Sequence, residues 1–151
     1  MILLERTSSS HPDFIKLVAL LDAYLAQVDG DDHHFYNQFN GITTLQHCLV
    51  IYDDNVAVGC GAIKKFESTS FEIKRMYVHH TARGKGYAIQ LVNALEEWAQ
   101  ELGATHTVLE TGKRMQDAVQ LYNKLGYTSI ANYGQYKGVA NSLCFMKQLK
   151  S

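Results

Sequence analysis

The chain has 151 residues, 46% hydrophobic and 19% charged, enough for one buried core over residues 1–151 and too few for two ordinary domains. A formal net charge of −1 lacks the broad basic footprint of a phosphate-backbone binder, and no apolar stretch approaches the ~20 residues that cross a bilayer, so neither nucleic acid nor membrane is the expected partner. The N-terminus meets acid at Glu5 instead of forming a secretory leader, and Cys48, Cys60 and Cys144 show no CxxC spacing, which points to a soluble, cytoplasmic protein without a disulfide framework or zinc site.

In chain order, residues 2–5 can form a first strand, and Pro12 with Asp13 starts a helix. Its apolar positions Phe14, Leu17, Val18, Leu21, Leu25 and Val28 recur at helical spacing. Residues 29–41 are polar and aromatic, with a short second helix expected over residues 35–39. From His47 the composition changes: residues 48–52, the turn Asp53-Asp54-Asn55 and residues 56–63 read as a hairpin, and residues 71–78 as a further strand. An amphipathic helix follows, with Ala88, Leu91, Val92, Leu95, Ala99 and Leu102 on one face until Gly103 caps it. Residues 105–110 make another strand, Ala118, Leu121, Tyr122 and Leu125 place a helix ending at Gly126, and residues 128–131 and 141–149 supply two last strands. This order predicts a mixed α/β fold whose strands 71–78 and 105–110 are parallel neighbours, joined by a right-handed crossover.

The run from Val78 through His79, His80, Thr81, Ala82, Arg83, Gly84, Lys85, Gly86 and Tyr87 to Ala88 joins strand to helix and reads as an anion cradle. Glycines at 84 and 86 let a backbone approach a ligand, the following helix presents unpaired N–H groups and its positive dipole end, and Arg83 and Lys85 add charge. A Walker A loop is the rival, but Gly86 stands where Ser or Thr is needed and the four-residue spacer is missing. His79 and His80 are adjacent on a strand end and point opposite ways, so no metal site is expected there.

With these flanks the chain resembles the GCN5-related N-acetyltransferase (GNAT) superfamily over nearly its whole length. Arg83-Gly-Lys-Gly86-Tyr-Ala88 satisfies the pyrophosphate-loop signature Q/R-x-x-G-x-G/A, and Ala118-Val-Gln-Leu121-Tyr122-Asn-Lys124-Leu-Gly126-Tyr127 matches a second block, A-x-x-LY-x-K-x-GF, with Tyr in place of the final Phe. The resemblance implies a mostly antiparallel central sheet of six to seven strands with helices on both faces. It also implies a parallel pair splayed to admit acetyl-CoA as cosubstrate, without a metal. Backbone N–H groups of residues 84, 85, 86 and 88, with Tyr87 among them, would bind the pyrophosphate, while the strand edge Met76, Tyr77 and Val78 would pair with pantetheine.

Acetyl transfer to an amine requires loss of a proton from an ammonium of pKa ~10.4. Glu72 lies eleven residues before Arg83, where the family often carries its catalytic glutamate. Its other reading is a strand charge paired with Lys74 on the same face, which would weaken it as a base. The resemblance puts an oxyanion donor at a backbone N–H near Tyr77 or Val78 and a general acid at Tyr122, whose other reading is core packing beside Leu121 and Leu125. Asn123 is placed either to touch pantetheine or to face solvent.

The acceptor side falls to residues 29–40 and 132–141, where Asp29, Asp31 and Asp32 can draw a cation and Tyr36, Tyr133 and Tyr136 can wall it. His33 and His34 offer an alternative base, and each of these residues also reads as an ordinary polar loop. Asp32, His34, Tyr36 and Tyr136 are the expected acceptor contacts. The expected function is transfer of an acetyl group to a primary amine of a small molecule in a ternary complex. A protein lysine or N-terminal amine, or a non-catalytic acyl-CoA-binding module, are the alternatives; acetylation of aminoacyl-tRNA would need a basic groove that the charge does not advertise. The resemblance is compatible with a homodimer.

Overall fold

A computed structural model describes residues 1–29 and 45–150. The helix expected over residues 35–39, and the candidates Asp31, Asp32, His33, His34 and Tyr36, lie outside the described residues. The elements are β1 (Ile2–Thr7), α1 (Pro12–Asp29), β2 (His47–Asp53), β3 (Val56–Glu67), β4 (Ser70–Val78), α2 (Tyr87–Glu101), β5 (His106–Gly112), α3 (Gln116–Lys124), β6 (Thr128–Ile130) and β7 (Ser142–Gln148). Short 3-10 turns cover His80–Ala82 and Gly134–Tyr136.

Seven strands form one sheet in the order β1-β2-β3-β4-β5-β7-β6, antiparallel throughout except for the β4–β5 pair. Alternation of side chains sorts the core into two layers. Cys48, Val50, Cys60 and Ala62 face α1 and pack with Phe14, Leu17, Val18 and Leu21. Leu49, Ile51 and Ile63 face the other way, against Leu91, Val92 and Leu95 of α2 and Tyr122 of α3. Glycine at 61 has a steric cause: a Cβ there would meet Leu95 Cδ1 at 2.9 Å and Met76 Sδ at 2.6 Å, so α2 sits close to β3 only over a bare backbone.

α2 ends as its sequence suggests: Gly103 takes φ +99 while the Ala104 N–H returns to the Ala99 carbonyl at 2.9 Å. β3 runs four residues past the expected Ile63, because Lys64, Lys65 and Glu67 pair with Glu72, Phe71 and Ser70 of β4; the ladder needs backbone partners, not apolar side chains.

β4 carries an irregularity that shapes everything downstream. Cys60 pairs with Tyr77 but Ala62 pairs with Lys74, so β4 holds one extra residue, and Arg75 there has φ +58. The bulge reverses the alternation: Ile73 and Met76 pack on the α2 side and Tyr77 on the α1 side. Parallel pairing with β5 covers only Ser70↔His106, Phe71↔Thr107 and Glu72↔Val108. Beyond Glu72 the two strands part. No helix among the described residues is long and apolar enough to cross a membrane.

Candidate functional site

The parted strands open a cleft that passes from α1 to α3 through the plane of the sheet. Its walls include Leu21 and Leu25 of α1, residues 72–76 of β4, residues 109–112 of β5, Met115, Ala118, Tyr122 and Tyr136. His79 donates its N–H to the Val58 carbonyl at 2.8 Å, so by strand alternation the Val78 N–H and C=O turn away from β3, toward the opening. The Val78 carbonyl is taken by Arg83 Nε at 3.1 Å. Val78 N–H remains as a donor on the open edge, a position that Tyr77, paired with Cys60, does not share.

That edge runs into the glycine loop. Gly84 and Gly86 have φ of +82 and +83, a region costly for other residues, and a Cβ at either would meet nothing within 4 Å. Backbone conformation, not crowding, therefore demands glycine, and the loop surface is open to a ligand. Gly86 is the N-cap of α2, whose first-turn N–H groups have no intrahelical partner and face the same side as the helix's positive dipole end. Lys85 is exposed beside them. Arg83 is turned back, with its guanidinium 5.4 Å from the Tyr24 ring and 5.7 Å from Tyr77, so it braces the end of β4 instead of covering the loop. The Tyr87 side chain is buried and donates to Asp53, leaving only its N–H for the cradle. Ala88 is half-buried at the first turn.

Glu72 is buried on the cleft wall and has two partners. Tyr133 donates its hydroxyl to Oε2 at 2.7 Å, and Lys74 Nζ stands 3.6 Å from Oε1. The strand-pair reading of Glu72 and Lys74 is thus realised in the same carboxylate that faces the cleft. Burial, and next the nearby Glu72, push the Tyr133 phenol well above its ordinary value, so it stays protonated and donating. Tyr136 is raised likewise, by burial and then by Glu110 and Glu72, and its ring meets Tyr133 edge-on at 5.8 Å.

Tyr122 combines its two sequence readings. It belongs to the buried core, with its ring edge-on to Tyr127 at 5.6 Å, and it also lines the cleft. Its hydroxyl makes no hydrogen bond to any described residue, and burial raises its pKa well above the ordinary value so that it remains a phenol at neutral pH. Asn123, next to it, is exposed on α3 and stands outside the cleft wall.

Three features escaped the sequence reading. Arg75 reaches Asp22 of α1 at 2.5 Å from an almost wholly buried position in the cleft wall. The Tyr133–Glu72 bond joins residues 61 apart. Behind Tyr122, Tyr127 donates to Glu96 at 2.8 Å and shares a 2.7 Å bond with Thr107, while Lys147 holds the other Glu96 oxygen at 3.0 Å. The Tyr that replaces Phe at the end of the second block was the available signal for this last network, since a buried phenol needs a partner. Among the described residues no group of three or more His, Cys, Asp or Glu could hold a metal ion. A buried carboxylate, protonated phenols on either side and an open strand edge leading to an anion cradle can together take a proton, stabilise charge on a carbonyl oxygen and hold a long phosphorylated ligand.

A profile of the acetyltransferase (GNAT) family matches residues 15–127. The IAA acetyltransferase of Azospirillum brasilense is 29% identical over 150 residues, covering 98% of each chain. A Klebsiella pneumoniae structure, whose acyl-CoA N-acyltransferase activity is inferred, superposes with a TM-score of 0.83 at 28% identity over 99% of both chains. A GNAT family acetyltransferase from Elizabethkingia anophelis, solved with acetyl-CoA bound, superposes with a TM-score of 0.71 at 16% identity over 98% of both chains.

Proposed function

This chain belongs to the acetyltransferase (GNAT) family and is an acetyl-CoA-dependent acetyltransferase; from that premise we propose that it transfers acetyl to a primary amine of a small molecule by direct attack in a ternary complex. The observation that carries the reading is the end of β4–β5 pairing at Glu72↔Val108, which leaves an open strand edge leading into the Gly84–Gly86 loop. Acetyl-CoA suits both features: its pyrophosphate matches the N–H groups of residues 84, 85, 86 and 88 with Lys85, and its pantetheine amides match the β4 edge at Met76 and Val78. The cosubstrate supplies an acyl group activated as a thioester.

The protein's own groups then divide the work. Glu72 takes a proton from the acceptor ammonium, directly or through one water, and passes it to solvent. As the amine nitrogen bonds to the acyl carbon, the Val78 N–H meets the negative charge that grows on the acyl oxygen. Tyr122, kept as a phenol by burial, donates a hydrogen bond to the departing sulfur, and the surplus proton on nitrogen ends on the CoA thiol. Tyr133 holds Glu72 in place from one side and Lys74 from the other. Tyr136 walls the acceptor side, and Arg83 and Tyr87 support the cradle through their contacts to Val78 and Asp53.

The test is CoA-thiol release over a panel of amino acids, polyamines, aminoglycosides, peptides and IAA, with N-acetyl product confirmed by mass. Release that needs a small amine, and falls by about 10²-fold or more in Glu72→Gln and Tyr122→Phe, is the expected result. Release driven only by peptides would move the acceptor to protein amines, and unchanged rates in both variants would remove these residues from the chemistry.

A further inference from the structure

We propose that the acceptor carries a carboxylate as well as its amine, as an α-amino acid does, and that Arg75 with Lys74 binds that carboxylate. The inference rests on the acyl transfer above and names the acceptor class of that same cleft.

Arg75 is the unusual residue of the wall. It occupies the bulge of β4 at φ +58, a left-handed conformation that is costly for any residue with a side chain. Its side chain is 1% exposed, yet its carboxylate partner, Asp22, is 41% exposed and so is screened by water. Arg75 Nε is buried and makes no hydrogen bond to any described residue. A guanidinium held this way has one nitrogen committed to Asp22 and a donor left over, on a residue that lines the cleft. The neighbouring Lys74 is almost as buried, at 8%, and is tied to Glu72.

The wall carries both signs. Glu72 of β4 and Glu110 of β5 are its carboxylates, and Lys74 and Arg75, on the same strand as Glu72, are its cations. A simple amine would leave the Arg75 Nε donor without a partner, whereas an amine bearing a carboxylate brings an acceptor for it. Leu21, Leu25 and Met115 offer apolar contact for the remainder of such a molecule.

The experiment compares matched acceptors on the intact enzyme: L-leucine with L-leucinamide and isopentylamine, and L-phenylalanine with its amide and phenethylamine. The amide is less basic and the simple amine more basic than the amino acid, so a preference for the acid over both does not come from amine basicity. The expected result is a kcat/KM for the acid about 10- to 100-fold above both analogues, falling toward parity in Arg75→Gln and partly kept in Arg75→Lys, with acetyl-CoA binding checked in each variant. Equal use of acid and analogues, or a preference for the analogues, overturns the proposal and leaves the amine acetyltransferase reading standing. A preference for the acid that survives Arg75→Gln removes Arg75 from the role. Failure of every amine tested, with acetyl-CoA still bound, would overturn the underlying reading itself. Should Arg75→Gln not fold, the wild-type ratio and Arg75→Lys decide.

Discussion

Removing one oxygen from Tyr122 and one from Tyr127 should have opposite consequences, although the two rings touch at 5.6 Å. The Tyr127 hydroxyl bonds Glu96 at 2.8 Å and Thr107 at 2.7 Å in the buried core, so Tyr127→Phe strips a hydrogen bond from a buried carboxylate. The cost of such an unsatisfied group is about 1–3 kcal/mol, which at about 2–4 °C per kcal/mol for a domain of this size lowers Tm by roughly 2–12 °C. The Tyr122 hydroxyl bonds no described residue, so Tyr122→Phe loses nothing of the kind and should leave Tm within about 2 °C. Its effect falls on turnover instead: loss of the donor to sulfur should lower kcat by about 10²-fold, or ~2.7 kcal/mol of barrier. Thermal melts and thiol release at saturating acetyl-CoA, run on both variants, separate the two. A Tyr122→Phe enzyme that melts several degrees lower and turns over normally would make Tyr122 a core residue only, and the reasoning from its unbonded hydroxyl would be refuted.

Three further outcomes follow from the same structure. Gly86→Ala places a side chain at φ +83 in open space, so the cost is conformational, about 1–2 kcal/mol, and should raise KM for acetyl-CoA by roughly 5- to 30-fold while lowering kcat less; an unchanged KM would separate the loop from cosubstrate binding. Glu72→Gln should slow turnover by about 10²-fold at pH 7 and recover steadily as the assay pH rises toward the acceptor's own pKa of ~10, because the amine then arrives neutral; pH profiles that run parallel to wild type would show that Glu72 is not the base. Burial pushes Cys60 up from 9.0 to about 12. The neutral thiol is therefore favoured in the fold, and this contribution to stability is whole below pH 9 and fades as pH rises toward 12, because the unfolded thiol ionises first. Tm measured from pH 7.5 to 10.5 should fall less steeply in Cys60→Ala than in wild type, and parallel curves would contradict the assignment.

The elements that position the site could be read from local signals. Pro12, Gly103 and Gly126 mark helix ends, and the apolar spacing of Leu91, Val92, Leu95 and Ala99 marks the face that α2 buries. Both family blocks lie where a turn or a helix start makes a residue type obligatory, so position and chemistry coincide. The bulge at Arg75 was not legible, because Phe71, Ile73 and Tyr77 alternate as though the strand were regular, and nothing local shows that Ile73 and Tyr77 face opposite layers. The Lys74–Glu72 pair was legible from an i, i+2 spacing. Its second partner, Tyr133, was not, since the segment between β6 and β7 has no periodicity to orient it, and only the closed sheet brings it to Glu72. Arg83 shows the limit from the other side: a cation beside two glycines suggests an anion contact, yet its guanidinium satisfies the Val78 carbonyl and two aromatic faces.

The most direct measurement is a single-turnover experiment with enzyme in excess over acetyl-CoA, following CoA thiol and N-acetyl product together in the presence and absence of an accepted amine. Direct transfer across the β4–β5 cleft predicts no thiol above the hydrolysis background without the amine, and equal amounts of thiol and N-acetyl product, formed at one rate, with it. A burst of thiol before any amine is added, or thiol released without matching N-acetyl product, would contradict the account.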